Sequence, residues 1–359
     1  MPDSSLSFVH EPAAQRVLFQ PGGFSRMGEE ADRLGLRRLL VLTTKGQARL
    51  GEAAADLLGE RAVALYPGAV MHTPVEVTDD ACALAADRKA DGIVAIGGGS
   101  TVGLSKAIAL RTDMQQIVLP TTYAGSEMTD LIGQTAHGEK KTERTRKVRQ
   151  ETVIYDVHLT MSLPASISAL SGMNAIAHAM EAMYAPDGNP IVSLMAEEAV
   201  SVLNAALPAI IDAPASVEHR NRALYGAWLA GTCLGSVTMG LHHKLCHVLG
   251  GKFDLPHAEM HTVLLPYSLA FNAKAAGDAM ERMGRAMGAH DPVSALRDLQ
   301  ARCGAPAGLH ALGMPAEGIE DVVAQVAHAD FPNPRAVEAD PLRVMLWAAH
   351  AGNPPPDLL

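Results

Sequence analysis

GLHHKLCHVLGGKFDLPHAEMH, residues 240 to 261, holds five of the chain's fifteen histidines in twenty-two positions. His243 and His247 are four apart, so on a helix they stand one above the other on a single face. Gly250 and Gly251 are expected to end that helix. His257 follows Leu255-Pro256, ten residues beyond His247. A helix, a glycine break and a return would bring this loop histidine beside the first two. Upstream, SGMNAIAHAMEA (171–182) repeats the device, with Asn174 and His178 four apart in an apolar-periodic run of good helix formers. Two such pairs and one loop histidine suffice to build a polar cavity between helices. His242 and His261 also suit the commoner role of a buried histidine, hydrogen-bonded core.

Around these motifs the sequence is helical. Ala/Leu/Met-rich stretches run at 165–184, 190–211, 217–249 and 258–275, with shorter ones to Leu346, and none alternates as a strand does. Residues 163–359 therefore read as an all-α domain. Residues 1–162 read differently. Strands are expected at Arg38–Leu42, Arg61–Tyr66, Gly92–Ile96, Ile117–Pro120 and Thr152–Asp156, alternating with helices near 24–34, 46–58, 75–89 and 102–110. That alternation predicts a parallel α/β sheet with helices on both faces. Residues 7–20 read as two short extended pieces around Glu11-Pro12.

Gly97-Gly98-Gly99-Ser100-Thr101 lies between a buried strand and a helix N-terminus. Free backbone N–H groups and the helix dipole there suit a phosphate, and missing side chains permit close approach. Taken alone, three glycines also fit a plain tight turn; the place after a buried strand favours the anion site. Thr121-Thr122-Tyr123-Ala124-Gly125-Ser126-Glu127 ends the next strand with hydroxyls that suit ribose or phosphate oxygens, or an ordinary polar loop. GEKKTERTRKVR (138–149) is the most basic run in an acidic chain. It suits a solvated surface or the attraction of an acidic substrate.

Net charge −10 argues against nucleic acid or anionic membrane as a partner, and 4% aromatic content against base-stacking platforms. The four cysteines are scattered without a CxxC pair, which suits a reducing cytoplasm. No uninterrupted apolar run reaches membrane-spanning length.

GGGST, PTTYAGSE, SGMNAIAHAMEA and HxxxH followed by LPH together resemble the iron-containing (group III) alcohol dehydrogenases, from about residue 10 to 345. Within that family the short chain, PTTYAGSEMT and TVIYD look most like the maleylacetate reductase branch. The resemblance implies a dinucleotide-binding α/β domain, a helical domain of the dehydroquinate synthase-like architecture, and an active site in the cleft between them. It places Gly98, Gly99 and Ser100 at the pyrophosphate and Thr121, Thr122 and Ser126 at the second phosphate or ribose. Thr43 and Thr44 end the second strand on the nucleotide side. Metal-bearing relatives use an aspartate and three histidines, which match Asn174, His178, His243 and His257; His247 matches the histidine near the nicotinamide. Asn174 in place of aspartate predicts weak iron or zinc binding, or none, because a neutral amide cannot balance a dication. Thr44 followed by Lys45, where NAD-specific relatives carry aspartate, predicts use of both NADH and NADPH.

The implied reaction is reduction of the conjugated carbon–carbon double bond of maleylacetate, a small dicarboxylate, to 3-oxoadipate in bacterial breakdown of aromatic compounds. His178, His243, His247 and His257 would then supply oxyanion stabilisation and a proton, with His243 and His247 favoured. Lys244, Lys252 or the 140–149 run would hold carboxylates, or simply face solvent. The alternatives are a metal-dependent alcohol or polyol dehydrogenase with Asn174 as a ligand, a lyase on the same fold, and a nucleotide-binding protein without catalysis. A homodimer is the default assembly.

Overall fold

Leu39 to Leu42 has all four side chains buried, as a strand covered on both faces must. Its alternate residues serve two cores. Leu39 and Val41 join Met27, Ala31, Leu58, Val94 and Ile96, whereas Leu40 and Leu42 join Ala81, Ile93, Val102 and Ile108. In this computed structural model, which describes residues 8–12, 14–136 and 139–357, the sheet has six parallel strands. They are β1 (Arg16–Phe19), β2 (Leu39–Leu42), β3 (Ala62–Tyr66), β4 (Gly92–Gly97), β5 (Gln115–Pro120) and, after a hairpin, β8 (Thr152–Tyr155). The hairpin is β6 (Leu131–Ala136) with β7 (Glu139–Arg144). The sheet order is β1-β8-β5-β4-β2-β3, so the chain reverses direction across the sheet between β2 and β4. That switch point, at the strands' carboxyl ends, is where an open α/β sheet leaves a crevice for a ligand. Helices α1 (Met27–Leu34), α2 (Ala48–Leu58), α3 (Val75–Asp87) and α4 (Gly99–Thr112) cover the faces.

The second half is helical, as expected. α5 (Ala165–Tyr184) is its axis, buried continuously from Ser168 to Met183. α6 (Pro190–Asp212), α7 (Val217–Ser236), α9 (His257–Asn272) and α10 (Gly277–Met287) pack on it. α8 (Leu241–Phe253), α12 (Ile319–Ala327) and α13 (Ala339–Ala351) form a second core with the other face of α9, and α11 (Pro292–Arg302) closes the side. Helix starts follow their sequence signals: Asn189 and Asp291 cap α6 and α11, each followed by proline at the first helical position. α6 is long and apolar enough to cross a membrane, but it lies against α5, α7 and α10 with half of its apolar window buried. The turn joining the two halves is pinned by buried Arg220, which donates to the carbonyls of Thr160 and Leu163.

Several expectations need correction. Gly250 and Gly251 do not end α8, which runs through them to Phe253. Glycine in a helix costs about 1 kcal/mol, which packing overrides. The stop comes from Asp254, left-handed at φ 50°, and Pro256. His257 is consequently not in a loop but opens α9. The stretch 217–249 is two helices, broken at 237–240. α4 begins at Gly99 rather than Val102, so the glycines enter the helix itself. Around Glu11-Pro12 only β1 is a strand, residues 7 and 13 lying outside the description. The basic run supplies β7 of an unanticipated hairpin; His137, Gly138 and the side chains of 139–141 are outside the described residues.

Candidate active site

The i,i+4 pairs on α5 and α8 face one another. Asn174, His178, His243, His247 and His257 all line one cavity of about 400 Å³, together with Gly99, Ala124 and Ser126 from the sheet side. Asn174, His178 and His243 form its buried floor, and His247 and His257 stand exposed at its mouth. The cleft thus joins the histidine cluster to the nucleotide side.

Proton positions on the floor follow from its hydrogen bonds. Glu181, one turn beyond His178 on α5, is fully buried. Its carboxylate accepts from the backbone N–H groups of Gly240 (3.0 Å) and His242 (2.7 Å) and from His243 Nδ1 (2.6 Å). His178 Nε2 donates to the carbonyl of Ala124 at 3.2 Å. His178 Nδ1 and His243 Nε2 then face each other at 2.8 Å. A hydrogen bond there needs a third proton on the four ring nitrogens, so the pair carries one imidazolium. Burial, and then the charge of His243, hold His178 far less basic than a free imidazole. Glu181 lies against the His243 ring of that pair, at 2.6 Å from its Nδ1. Burial pushes the Glu181 carboxyl up, but the hydrogen bond and charge from His243 outweigh it and leave it below the usual range.

A deeper layer backs this one. His242 bonds Ser268 Oγ (3.1 Å) through Nδ1 and His261 Nδ1 (3.0 Å) through Nε2, so the core reading of His242 holds. His261 does more, for it lines the cavity and its buried Nε2 has no partner among the described residues. Sequence reasoning missed Glu181 and the cavity-lining role of His261. The signal for Glu181 was a carboxylate three residues after His178 on an otherwise apolar helix.

An iron or zinc ion in this cavity would meet only neutral donors among the described residues that line it. Asn174 Oδ1 is buried without a partner among the described residues, and Asn174 and the three imidazoles offer no anionic donor. Nitrogens sharing a tetrahedral zinc lie about 3.3 Å apart; His178 and His243 at 2.8 Å are at hydrogen-bond distance. His242, Cys246 and His261 have ligand atoms within 4.8 Å of one another, but burial pushes the Cys246 thiol well above its usual range and the two imidazoles already bond each other.

The nucleotide side fits a dinucleotide. Gly98 caps α4 without any side chain on the N–H groups. A side chain on Gly99 would meet no atom within 4 Å, whereas one on Gly98 would strike Thr122 at 2.9 Å. Thr43, Thr101 and Ser126 keep buried hydroxyls without a partner among the described residues. Thr121 accepts from Gln47 at 2.8 Å, and Thr44 lies beside Gln47 at 3.5 Å. These groups and Ser100 ring the carboxyl ends of β2, β4 and β5 at the switch point. Buried Lys106, lowered to about 7 by burial, holds the Ser126 loop by donating to the carbonyls of Ser126 (2.7 Å) and Leu131 (2.8 Å).

Comparison with known proteins agrees with this arrangement. Residues 14–157 match the family described as iron-containing alcohol dehydrogenase, and residues 168–349 match its C-terminal part. The chain belongs to the iron-containing alcohol dehydrogenase family. Within it, the maleylacetate reductase of Pseudomonas knackmussii is 47% identical over 350 residues, 98% of this chain and 99% of the relative. The crystal structure of maleylacetate reductase from Agrobacterium tumefaciens superposes with TM-score 0.95 at 47% identity, covering 98% of this chain and 100% of that one. That from a Rhizobium strain gives 0.93 at 47% identity with the same coverage.

Of the expected carboxylate holders, Lys252 is misplaced: it pairs with Asp321 at 2.7 Å on the surface. Lys244 does not line the cavity.

Proposed function

We propose that this protein reduces the conjugated double bond of maleylacetate to 3-oxoadipate with NADH or NADPH, in bacterial aromatic catabolism. The observation that carries the reading is a cavity floored by the hydrogen-bonded chain His178–His243–Glu181, with no anionic metal donor among the described residues of its wall, opening onto a nucleotide crevice. Full-length likeness to maleylacetate reductases supports the substrate. When bound, the nicotinamide supplies hydride to the alkene carbon β to the ketone.

The residues do the rest. Charge collects on the ketone oxygen as an enolate, and the proton between His178 Nδ1 and His243 Nε2 can turn from its partner nitrogen to that oxygen when substrate is bound. Glu181 keeps that proton in place by balancing the imidazolium in a site without water's dielectric. His247, on the same face of α8 but exposed at the mouth, is assigned to protonate the neighbouring carbon, with its proton restored from solvent. His257 stands beside it as a second donor. Asn174 orients substrate oxygens with its amide rather than ligating a metal. Gly98, Gly99, Ser100, Thr121, Thr122 and Ser126 hold the phosphates and riboses. Thr43 and Thr44 border the adenosine ribose, where a 2′-phosphate meets no carboxylate. The reading extends to a cytoplasmic homodimer, which light scattering would test.

The deciding experiment follows NADH consumption with maleylacetate before and after exhaustive chelation, with elemental analysis of the protein. Turnover is expected to survive chelation in protein without stoichiometric metal. Activity lost to chelation and restored by iron or zinc would overturn the metal-free site and favour the alcohol dehydrogenase alternative. Asn174→Asp should gain a stoichiometric divalent ion and lose maleylacetate turnover.

A further inference from the structure

A dicarboxylate needs a cationic partner, and the histidine cluster accounts for the ketone rather than for both carboxylates. Among the described residues lining the 400 Å³ cavity, Arg144 is the sole lysine or arginine. The rest of the described basic run is engaged elsewhere. Arg146 pairs with Glu11, Lys147 with Asp113, and Arg149 with Asp130. We infer that Arg144, at the end of β7, is the carboxylate anchor that selects dianionic substrates for this cavity. The inference rests on the maleylacetate reading and names the specificity residue within it.

Arg144 is held in place from behind. Nη1 donates to the Gly235 carbonyl and Nη2 to that of Val237, both at 3.3 Å, at the C-terminal end of α7. Nη1 also lies 3.1 Å from Asp130. Asp130 in turn pairs with Arg149 at 3.0 Å. One carboxylate thus faces two guanidinium groups, and the cluster keeps a positive charge. The Nε–H and one Nη2–H of Arg144 have no partner among the described residues. Those two parallel donors are the edge of a guanidinium that grips a carboxylate side-on. Thr142, from the same strand, adds a hydroxyl to the same wall. Because α7 belongs to the helical half and β7 to the α/β half, the fork is fixed across the cleft. Bound at its far carboxylate, a six-carbon dicarboxylate is oriented by charge before its ketone meets His178 and His243.

The test compares wild type with Arg144→Met and Arg144→Lys on maleylacetate and on two analogues, each lacking one carboxylate. Arg144→Met should lower kcat/KM for maleylacetate roughly a hundredfold, mostly through KM. It should change the analogue that lacks the anchored carboxylate by less than about threefold. Arg144→Lys should recover only part of the loss, because an ammonium cannot make the fork. Equal losses on maleylacetate and both analogues, or full recovery with lysine, would make Arg144 a mere brace between hairpin and α7 and overturn the inference. Affinity for NADH, read by fluorescence, reports whether the variants keep their fold. Wild-type protein that leaves maleylacetate untouched would sink the reductase reading instead. Arg144 is then judged by calorimetry with adipate, an unreactive probe, on the NADH-loaded protein. Binding to wild type that Arg144→Met abolishes supports the anchor, and equal binding overturns it.

Discussion

Glu181 is the residue on which the floor of the cavity depends. It takes backbone N–H bonds from Gly240, His242 and His243 at the start of α8 and one from the His243 ring, so it fixes both where α8 begins and which nitrogen of His243 faces inward. Glu181→Gln keeps the shape but removes the charge that balances the imidazolium, and its amide nitrogen would meet donors. We expect kcat to fall roughly a hundredfold, the range typical of partners that orient an active histidine, with NADH affinity unchanged. Steady-state kinetics beside a cofactor titration would check this; a kcat within about threefold of wild type would refute that role for Glu181. Glu181 lies three residues beyond His178 on the same helix, but glutamate is a common helix former and that spacing becomes telling only beside the partners that folding supplies.

At the scale of elements, the cleft is set by how closely α7 meets the loop after β5. A side chain on Gly231 would lie 2.7 Å from the Gly125 carbonyl oxygen and 2.8 Å from its Cα, and one on Gly235 would lie 2.4 Å from the Met128 carbonyl. Gly125 is itself left-handed at φ 74°, a conformation that glycine adopts without strain. Backbone therefore packs on backbone across the two halves, and a methyl group cannot be absorbed by a rotamer change. Gly231→Ala should cost about 1–3 kcal/mol of stability. It should also raise the NADH dissociation constant, because the displaced loop carries Ser126. Thermal melts and fluorescence titration read the two effects, and a melt unchanged from wild type would show that the helix yields without strain. The reading of 217–249 as one helix missed the break after Ser236, since Val237-Thr238-Met239-Gly240 contains no proline and only one glycine, a residue that helices also tolerate.

For the whole molecule, the interior histidines tie stability to pH. His178, His242 and His261 are buried and held less basic than free imidazole, His242 down to about 3. Burial is the main cause, and neighbouring rings add to it. Unfolding returns each to an ordinary value near 6.5. Between the folded and unfolded values the unfolded chain binds more protons, so stability is full above about pH 6.5 and declines as pH falls. Each proton contributes about 1.4 kcal/mol per pH unit, so three reach roughly 4 kcal/mol per pH unit. Glu181 acts in the same direction in more acid solution, its stabilisation being lost as pH falls through its lowered folded value. Denaturant midpoints measured from pH 7.5 to 5 should be flat and then drop steeply; a flat curve throughout would mean these rings are charged in the native protein.

The sequence by itself determined the α/β-then-helical order, the glycine turn at a helix start and five of the residues that line the cavity. These are local signals: apolar period, helix breakers, and i,i+4 spacing, which a helix converts directly into a shared face. It also supplied Asn174, a neutral amide in place of a carboxylate. Only the tertiary structure decided the rest. Whether His261 is core or cavity, which of the basic residues enters the site, and which nitrogen of His178 carries a proton all depend on partners distant in sequence. Ala124 meets His178, Glu181 meets His243, and Gly235 and Val237 meet Arg144. Such pairings arise when packing brings remote segments together, and no periodicity along the chain records them.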